Sequence, residues 1–170
     1  MSIAFSAPVS LLRGRRIVRL PAEASAQLPS RGMVMASISL PDGELILPLE
    51  PDGQGGHWFE LPDDIPTVEA LSLSLSPLDD WPEPELPQDI QSGLADAGLA
   101  SVWQGLTTKA RWEWLRWIRA TASPATRSKR IGVACSKLSQ GDRRPCCFNS
   151  ASCTVPELSR SGLLLADDLP

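Results

Sequence analysis

The chain contains four cysteines, and their spacing can be compared with the spacings that metal sites use. Cys146 and Cys147 are adjacent, Cys153 lies six positions further on, and Cys135 stands upstream. Structural zinc sites favour paired C-x2-C spacings, because two thiolates then hold one ion from a single turn. Adjacent cysteines point in different directions, and the only histidine, His57, lies far away in the chain. We therefore expect no metal site and no cofactor.

A reactive thiol is a different use of the same cysteines. Arg143 and Arg144 immediately precede Pro145 and the pair Cys146 and Cys147. Nearby guanidinium groups favour the thiolate, which is the nucleophilic form of cysteine. Cys146 and Cys147 are therefore candidate reactive thiols, and the alternative is that they are inert.

Arginines of the same region are candidates for binding an anionic group. A guanidinium holds a phosphate or a carboxylate through two parallel hydrogen bonds. The alternative is that these arginines neutralise the acidic half of the chain or cap helix ends. Trp112, if exposed, is a further candidate for contacting a partner. The alternative is that it packs against the segment 99–106. The predicted contact residues are Trp112, Arg127, Arg130, Arg143 and Arg144.

Catalytic motifs are absent from the sequence. It contains no Gly-x-Ser-x-Gly elbow, no phosphate-binding Walker loop and no dinucleotide fingerprint. His57 lies in a predicted strand whose successive residues alternate between two faces, which indicates a structural or surface residue. The chain is therefore predicted not to be an enzyme.

Charge divides the chain into unlike parts. Residues 1–106 carry five Lys/Arg and fifteen Asp/Glu, whereas residues 107–144 carry ten Lys/Arg and two Asp/Glu. Such asymmetry favours an anionic partner for the basic part, or neutralisation of one half by the other. Nucleic acid is possible but not favoured, because no base-reading motif is present.

Apolar and polar residues alternate at period two through much of the first half of the sequence. Any site in this half is therefore expected to lie on β-strands. Strand patterns cover 9–20, 32–40, 44–49, 57–61 and 68–76, and 22–31 is predicted as a loop. Pro41-Asp42-Gly43 predicts a hairpin turn between two of them. Short strands at this spacing indicate a small barrel or sandwich.

Helical periodicity follows a proline-rich connector over 77–87, where proline removes amide donors. Thr107 predicts the N-cap of a helix over about 108–121, and Ser123-Pro124 begins another that ends near Gly141. In the first of these, Trp114, Trp117 and Ile118 share the core face. Arg116 and Arg119 fall on the opposite, polar face.

The second half also resembles the YdeI/OmpD-associated family, often labelled bacteriocin protection. The motifs that carry the resemblance are Glu113-Trp114-Leu115-Arg116-Trp117-Ile118, Thr126-Arg127, Arg130-Ile131, and Gly141 with Arg143-Arg144-Pro145-Cys146-Cys147-Phe148-Asn149. The first half is similar to the small β-barrel domain that often precedes this family. The matching stretches are Leu20-Pro21, Gly32 with its strand, Leu49 to Trp58, and Trp81-Pro82-Glu83-Pro84.

The resemblance implies a fold and a broad role but no reaction. We predict an α+β protein: a small double-split-barrel-like N-terminal β-barrel over 1–80, followed by a helical domain over 81–170. The implied function is non-enzymatic binding that protects against antibacterial peptides or stress, with an anionic, protein or peptide partner. The alternatives are a nucleic-acid-binding regulator using residues 107–144 and a thiol redox protein using Cys146 and Cys147.

The lengths of the apolar runs in the sequence indicate the cellular location to expect. Arg15-Arg16 is not followed by the apolar run of 7–15 residues that an export signal needs. No apolar run approaches the roughly 18 residues of a membrane span. A cytoplasmic protein with reduced thiols is therefore expected.

Overall fold

The structure is a computed structural model, and it describes residues 1–145. These residues form an α+β protein, as predicted, with a six-stranded closed β-barrel followed by helices. They divide into two compact units, one over Met1–Asp80 and one that begins at Trp81. The predictions on Cys146 and Cys147 lie outside the described residues.

All neighbouring strands of the barrel are antiparallel, and the ring closes in the order β1-β2-β5-β4-β3-β6. The pair that closes it joins Ile3 to Leu75 and Pro8 to Ala70 in register. Closure removes the unpaired strand edges that would otherwise be exposed. The strands are β1 Ile3–Leu12, β2 Arg15–Arg19, β3 Val34–Leu40, β4 Gly43–Pro51, β5 His57–Glu60 and β6 Ala70–Pro77.

Alternation predicted the inward face of β6 correctly. Leu71, Leu73 and Leu75 are buried and join the barrel core, whereas Ser72 between them is exposed. The β3–β4 hairpin is also confirmed, since Leu40 pairs with Gly43 across the turn. Burying apolar side chains on one face and leaving hydroxyls on the other is the expected result of a period of two.

Two predictions in the barrel half were wrong. The pattern over 9–20 contains not one strand but a hairpin, in which Arg13 and Gly14 turn the chain at φ values of 51° and 77°. Two positive-φ residues in a two-residue loop are typical of a hairpin turn whose twist matches its strands. The predicted loop over 22–31 begins with a short helix, α1 Ala22–Ala26, whose Ala24 packs into the barrel core.

Four helices make up the described part of the second unit. Both predicted N-caps are confirmed: Thr107 Oγ1 accepts a hydrogen bond from the Ala110 amide at 3.1 Å, and Ser123 Oγ from the Thr126 amide at 3.3 Å. Gly141 follows the last helix at a φ of 95°, as a C′ glycine should. The helices are α2 Gln88–Asp96, α3 Ala100–Gln104, α4 Thr108–Arg119 and α5 Pro124–Ser139.

Tryptophan anchors the core between these helices. Trp114 is fully buried beside Ile118, and Trp117 packs against the same cluster from a partly buried position. The rings of Trp114 and Trp117 meet edge to face with centroids 5.9 Å apart, an arrangement that stabilises aromatic pairs. The core face predicted for α4 is therefore confirmed. No helix in the part of the chain described here is long and apolar enough to cross a membrane.

Candidate functional sites

The arginines predicted to bind an anion are mostly occupied by groups of their own unit. Arg127 donates from Nε and Nη2 to both carboxylate oxygens of Asp89, at 2.6 and 2.9 Å. The Arg127 side-chain hydrogen bond lowers the pKa of the Asp89 carboxyl, and the same bond raises the pKa of Arg127. This bidentate pair links α5 to the first turn of α2.

Arg130 and Arg143 satisfy carbonyls at helix ends. Arg130 Nη1 donates to the carbonyls of Trp117 and Ala120 at 2.6 and 3.0 Å, where α4 ends. Arg143 Nη2 donates to the Gly105 carbonyl at 3.1 Å, just after α3. The last carbonyls of a helix have no intrahelical donor, so a guanidinium stabilises them. Arg130 and Arg143 therefore cap helix ends, which is the alternative use given for these arginines above.

Arg144 and Trp112 complete the predicted contact set. Arg144 is 59% exposed and lies 3.4 Å from Glu113 through Nε. Trp112 is half-buried, and its Nε1 donates to the Pro82 carbonyl of the connector at 2.7 Å. The five predicted residues therefore contact different segments of the helical unit, through Asp89, the end of α4, Gly105, Glu113 and the connector.

Arg116 is a basic side chain that the sequence prediction missed. It was assigned to the polar face of α4, but only 3% of it is exposed. Its Nε and Nη1 are buried and have no hydrogen-bond partner among the described residues. Helical periodicity cannot reveal that Arg116 is buried, because its burial depends on which other parts of the chain pack against that face of α4.

His57 forms a Ser-His arrangement inside the barrel unit. Its Nε2 lies 2.9 Å from the Gly32 carbonyl and so carries the proton, and Nδ1 accepts from Ser25 Oγ at 2.7 Å. Burial lowers the pKa of His57, which keeps the ring neutral. Ser25 and His57 are 1% and 0% exposed, and the Ser25 hydroxyl and both ring nitrogens of His57 already have hydrogen-bond partners within the barrel unit. The pair links α1 to β5.

Asp52 forms a second buried polar centre, at the β4–β5 connection. It accepts hydrogen bonds from the amides of Gln54 and Gly56, both at 2.8 Å, and from Arg19 Nη2 at 3.1 Å. Burial acts to raise the pKa of this carboxyl, but the two amides and the Arg19 guanidinium outweigh burial and lower it. In the glycine-rich segment 53–56, the amides of Gln54 and Gly56 are therefore directed at this carboxylate.

A cavity of about 320 Å³ opens beside the β3–β4 turn, within the barrel unit. That volume lies at the lower end of the range for ligand pockets. Its walls come from the turn and from the segment before β6, and most lining side chains are apolar: Leu40, Leu45, Ile65, Pro66, Val68 and Leu71.

The charged residues that line this cavity are all acidic: Asp42, Glu44 and Asp64. Glu44 accepts a hydrogen bond from the Ser37 hydroxyl. Asp42 and Asp64 are exposed, and neither forms an ion pair within residues 1–145. The cavity therefore combines an apolar interior with two carboxylates that form no ion pair within residues 1–145.

Arg16 holds one wall of this cavity in place. Its Nη1 and Nη2 donate to the carbonyls of Ile65 and Pro62, both at 2.6 Å. Charge-assisted hydrogen bonds of this kind fix a segment that has no regular structure of its own. The acidic residue Asp64 is thus carried on a positioned segment.

A second, wide depression crosses β1, β6 and β3 and is lined by hydroxyls. Ser6 and Ser72 are hydrogen-bonded to each other at 2.8 Å, and Ser39 and Ser74 stand beside them. No charged residue lines this surface. It offers shallow polar contact without the depth or charge of the acidic cavity.

Cys135 and the acidic clusters complete the chemistry of the described part. Burial raises the pKa of the Cys135 thiol, which favours its protonated form. Within residues 1–145, no group of three or more His, Cys, Asp or Glu side chains is placed to hold a metal ion.

These features define a two-part α+β protein: a closed barrel with an acidic cavity, and a helical unit whose arginines mostly serve its own structure. Residues 83–141 match the family model for bacteriocin-protection, YdeI or OmpD-associated proteins. The match spans α2 to α5, so this helical part of the chain is similar to the YdeI/OmpD-associated family. No curated protein and no solved structure matches the chain significantly.

Proposed function

We propose that this is a non-enzymatic binding protein of the YdeI/OmpD-associated type that protects against antibacterial peptides by binding them. The observation that carries the proposal is the apolar cavity lined by Asp42, Glu44 and Asp64. Many membrane-active peptides place Lys/Arg on one face and Leu, Phe or Trp on the other. An apolar side chain in the cavity and a cationic one at Asp42 or Asp64 would match that pattern.

Charge supports the same ligand class. The barrel unit, residues 1–80, carries five Lys/Arg against eleven Asp/Glu. A net negative surface attracts cationic ligands over a Debye length of about 8–10 Å and repels nucleic acid. The nucleic-acid alternative gains no support from the helical unit, where Arg127, Arg130 and Arg143 are engaged internally.

Binding by the full-length protein tests the cavity directly. A synthetic Lys/Leu amphipathic peptide is titrated by calorimetry, beside an analogue in which Glu replaces every Lys. We expect only the cationic peptide to bind, with an affinity that falls as salt is raised. The double variant Asp42→Asn/Asp64→Asn should weaken binding roughly 10-fold, at about 0.5–1 kcal/mol per lost rim charge.

Glu23→Gln is the matched control, since Glu23 is an exposed acidic residue in α1 that does not line the cavity. It should bind like the unchanged protein. Equal binding of both peptides, or no effect of the double variant, would overturn the cavity as the site. Unchanged peptide sensitivity of cells that lack the protein would overturn the protective role itself.

A further inference from the structure

Arg116 carries a positive charge that no carboxylate pairs with among residues 1–145. A guanidinium stays protonated in proteins. Moving an unpaired charge out of water costs several kcal/mol, so buried charges are normally paired. At 3% exposure, with Nε and Nη1 unpartnered, Arg116 departs from that rule.

The other arginines of this unit make the contrast clear. Arg111 Nη2 lies 2.8 Å from Glu83, and Arg127 holds Asp89 through two nitrogens. Glu113 is the nearest carboxylate to Arg116 along α4, three residues earlier, yet it lies 3.4 Å from Arg144. The chain thus provides carboxylates for its neighbours and leaves Arg116 without one in the described residues.

The electrostatic surroundings of Arg116 on α4 are positive. The helix contains Lys109, Arg111, Arg116 and Arg119 against the single carboxylate of Glu113. Lys109 Nζ lies over the Trp81 ring, 5.3 Å from its centroid. An anion at Arg116 would therefore lie on a helix whose side chains carry more positive than negative charge.

We propose that Arg116 is the centre of an oxyanion-binding site on the helical unit, which takes a phosphate or carboxylate group of a ligand. Nε and Nη1 are both buried without a hydrogen-bond partner among residues 1–145, so two donors of the guanidinium are unsatisfied there. Arg127 in the same unit shows how a guanidinium binds an oxyanion, because its Nε and Nη2 hold the two oxygens of one carboxylate. Oxyanion binding at Arg116 removes the cost of its unpaired charge.

Thermal unfolding of the full-length protein tests this site. Tm is measured in 0–20 mM inorganic phosphate, and separately in acetate, with sodium chloride adjusted to hold ionic strength constant. A ligand that binds only the folded state raises Tm with its concentration. We expect phosphate or acetate to raise Tm by several degrees, and the more effective anion identifies the ligand class.

Arg116→Met keeps the length and apolar stem of the side chain and removes the charge. It should abolish the anion-dependent rise, and in chloride alone it should melt at or above the temperature of the unchanged protein. Arg116→Lys keeps the charge but not the fork, and should retain a weaker rise. Arg144→Met, at the exposed Arg144, is the matched control and should respond fully.

Three results would overturn the proposal. One is a flat Tm in both anions. Another is an anion response that survives in Arg116→Met. The third is an Arg116→Met protein that fails to fold or melts far lower in chloride, because the guanidinium would then be stabilised by the chain itself.

Discussion

Arg127 and Asp89 form a two-bond ion pair that joins α5 to the first turn of α2, with Nε 2.6 Å from Oδ2 and Nη2 2.9 Å from Oδ1. The side chains are 28% and 48% exposed, so water screens the attraction. We expect Arg127→Gln or Asp89→Asn to lower the free energy of unfolding by about 0.5–1 kcal/mol.

Urea unfolding of both single variants and the double variant measures the coupling between the two residues. The double variant should be little worse than either single one, because each change removes the same interaction. Fully additive losses would show that the pair contributes no mutual stabilisation.

Trp114 and Trp112 allow the same hydrogen bond to be compared at a buried and a half-buried position. Trp114 Nε1 donates to the Arg143 carbonyl at 3.0 Å, and Trp112 Nε1 donates to the Pro82 carbonyl at 2.7 Å. Trp114→Phe should cost about 1–3 kcal/mol, because it leaves a cavity and an unpaired carbonyl. Trp112→Phe should cost less than about 1 kcal/mol, since water can replace the lost donor. Equal losses in urea unfolding would contradict the assigned burial.

Gly93 and Gly132 are helical glycines with opposite surroundings. A Cβ at Gly93 would lie 2.8 Å from Ile131 Cγ2, whereas one at Gly132 would meet nothing within 4 Å. Gly132→Ala should therefore stabilise the protein by about 0.5–1 kcal/mol through helix propensity. Gly93→Ala should destabilise it, because the branched Ile131 side chain has to move where α2 packs on α5. Thermal unfolding of the two variants checks the signs, and a rise in Tm for Gly93→Ala would contradict the close packing.

His57 gives the barrel unit a dependence on pH. Burial holds the pKa of folded His57 below its ordinary value of 6.5, so the unfolded chain binds the proton more readily. The stabilisation is present above about pH 6.5 and is lost as pH falls toward the lower folded pKa. Asp52, whose folded pKa is also lowered, adds a further loss at more acidic pH.

Urea midpoints between pH 8 and pH 5 measure this dependence. The midpoint should fall with pH in the unchanged protein. His57→Gln should be less stable at pH 8, because the contacts with Ser25 and Gly32 are weakened, yet it should show a flatter dependence. A slope that His57→Gln leaves unchanged would assign the effect to other groups.

Local signals in the sequence were sufficient for much of the fold. The alternation of Leu71, Leu73 and Leu75 with serines specifies an inward face, because successive strand residues point to opposite sides. Thr107 and Ser123 specify helix starts, because a side-chain oxygen satisfies an amide only two or three residues ahead. The family match likewise depends on one continuous stretch, residues 83–141.

Tertiary structure alone decided the closure of the barrel and the sites. Ile3 and Leu75 pair across 72 positions, a contact that no local pattern specifies. Acidic residues from two separate segments, Asp42 and Asp64, line one cavity only because the strands bring those segments together.

The arginines show the same division at the level of single side chains. Sequence identified where the positive charge is concentrated, but a long guanidinium side chain finds its partner through the packing of other elements. Packing gave Arg127 a carboxylate and Arg130 the end of a helix, and it buried Arg116 on a face that periodicity marked as polar. Charge is thus a property of the sequence, whereas its compensation is a property of the fold.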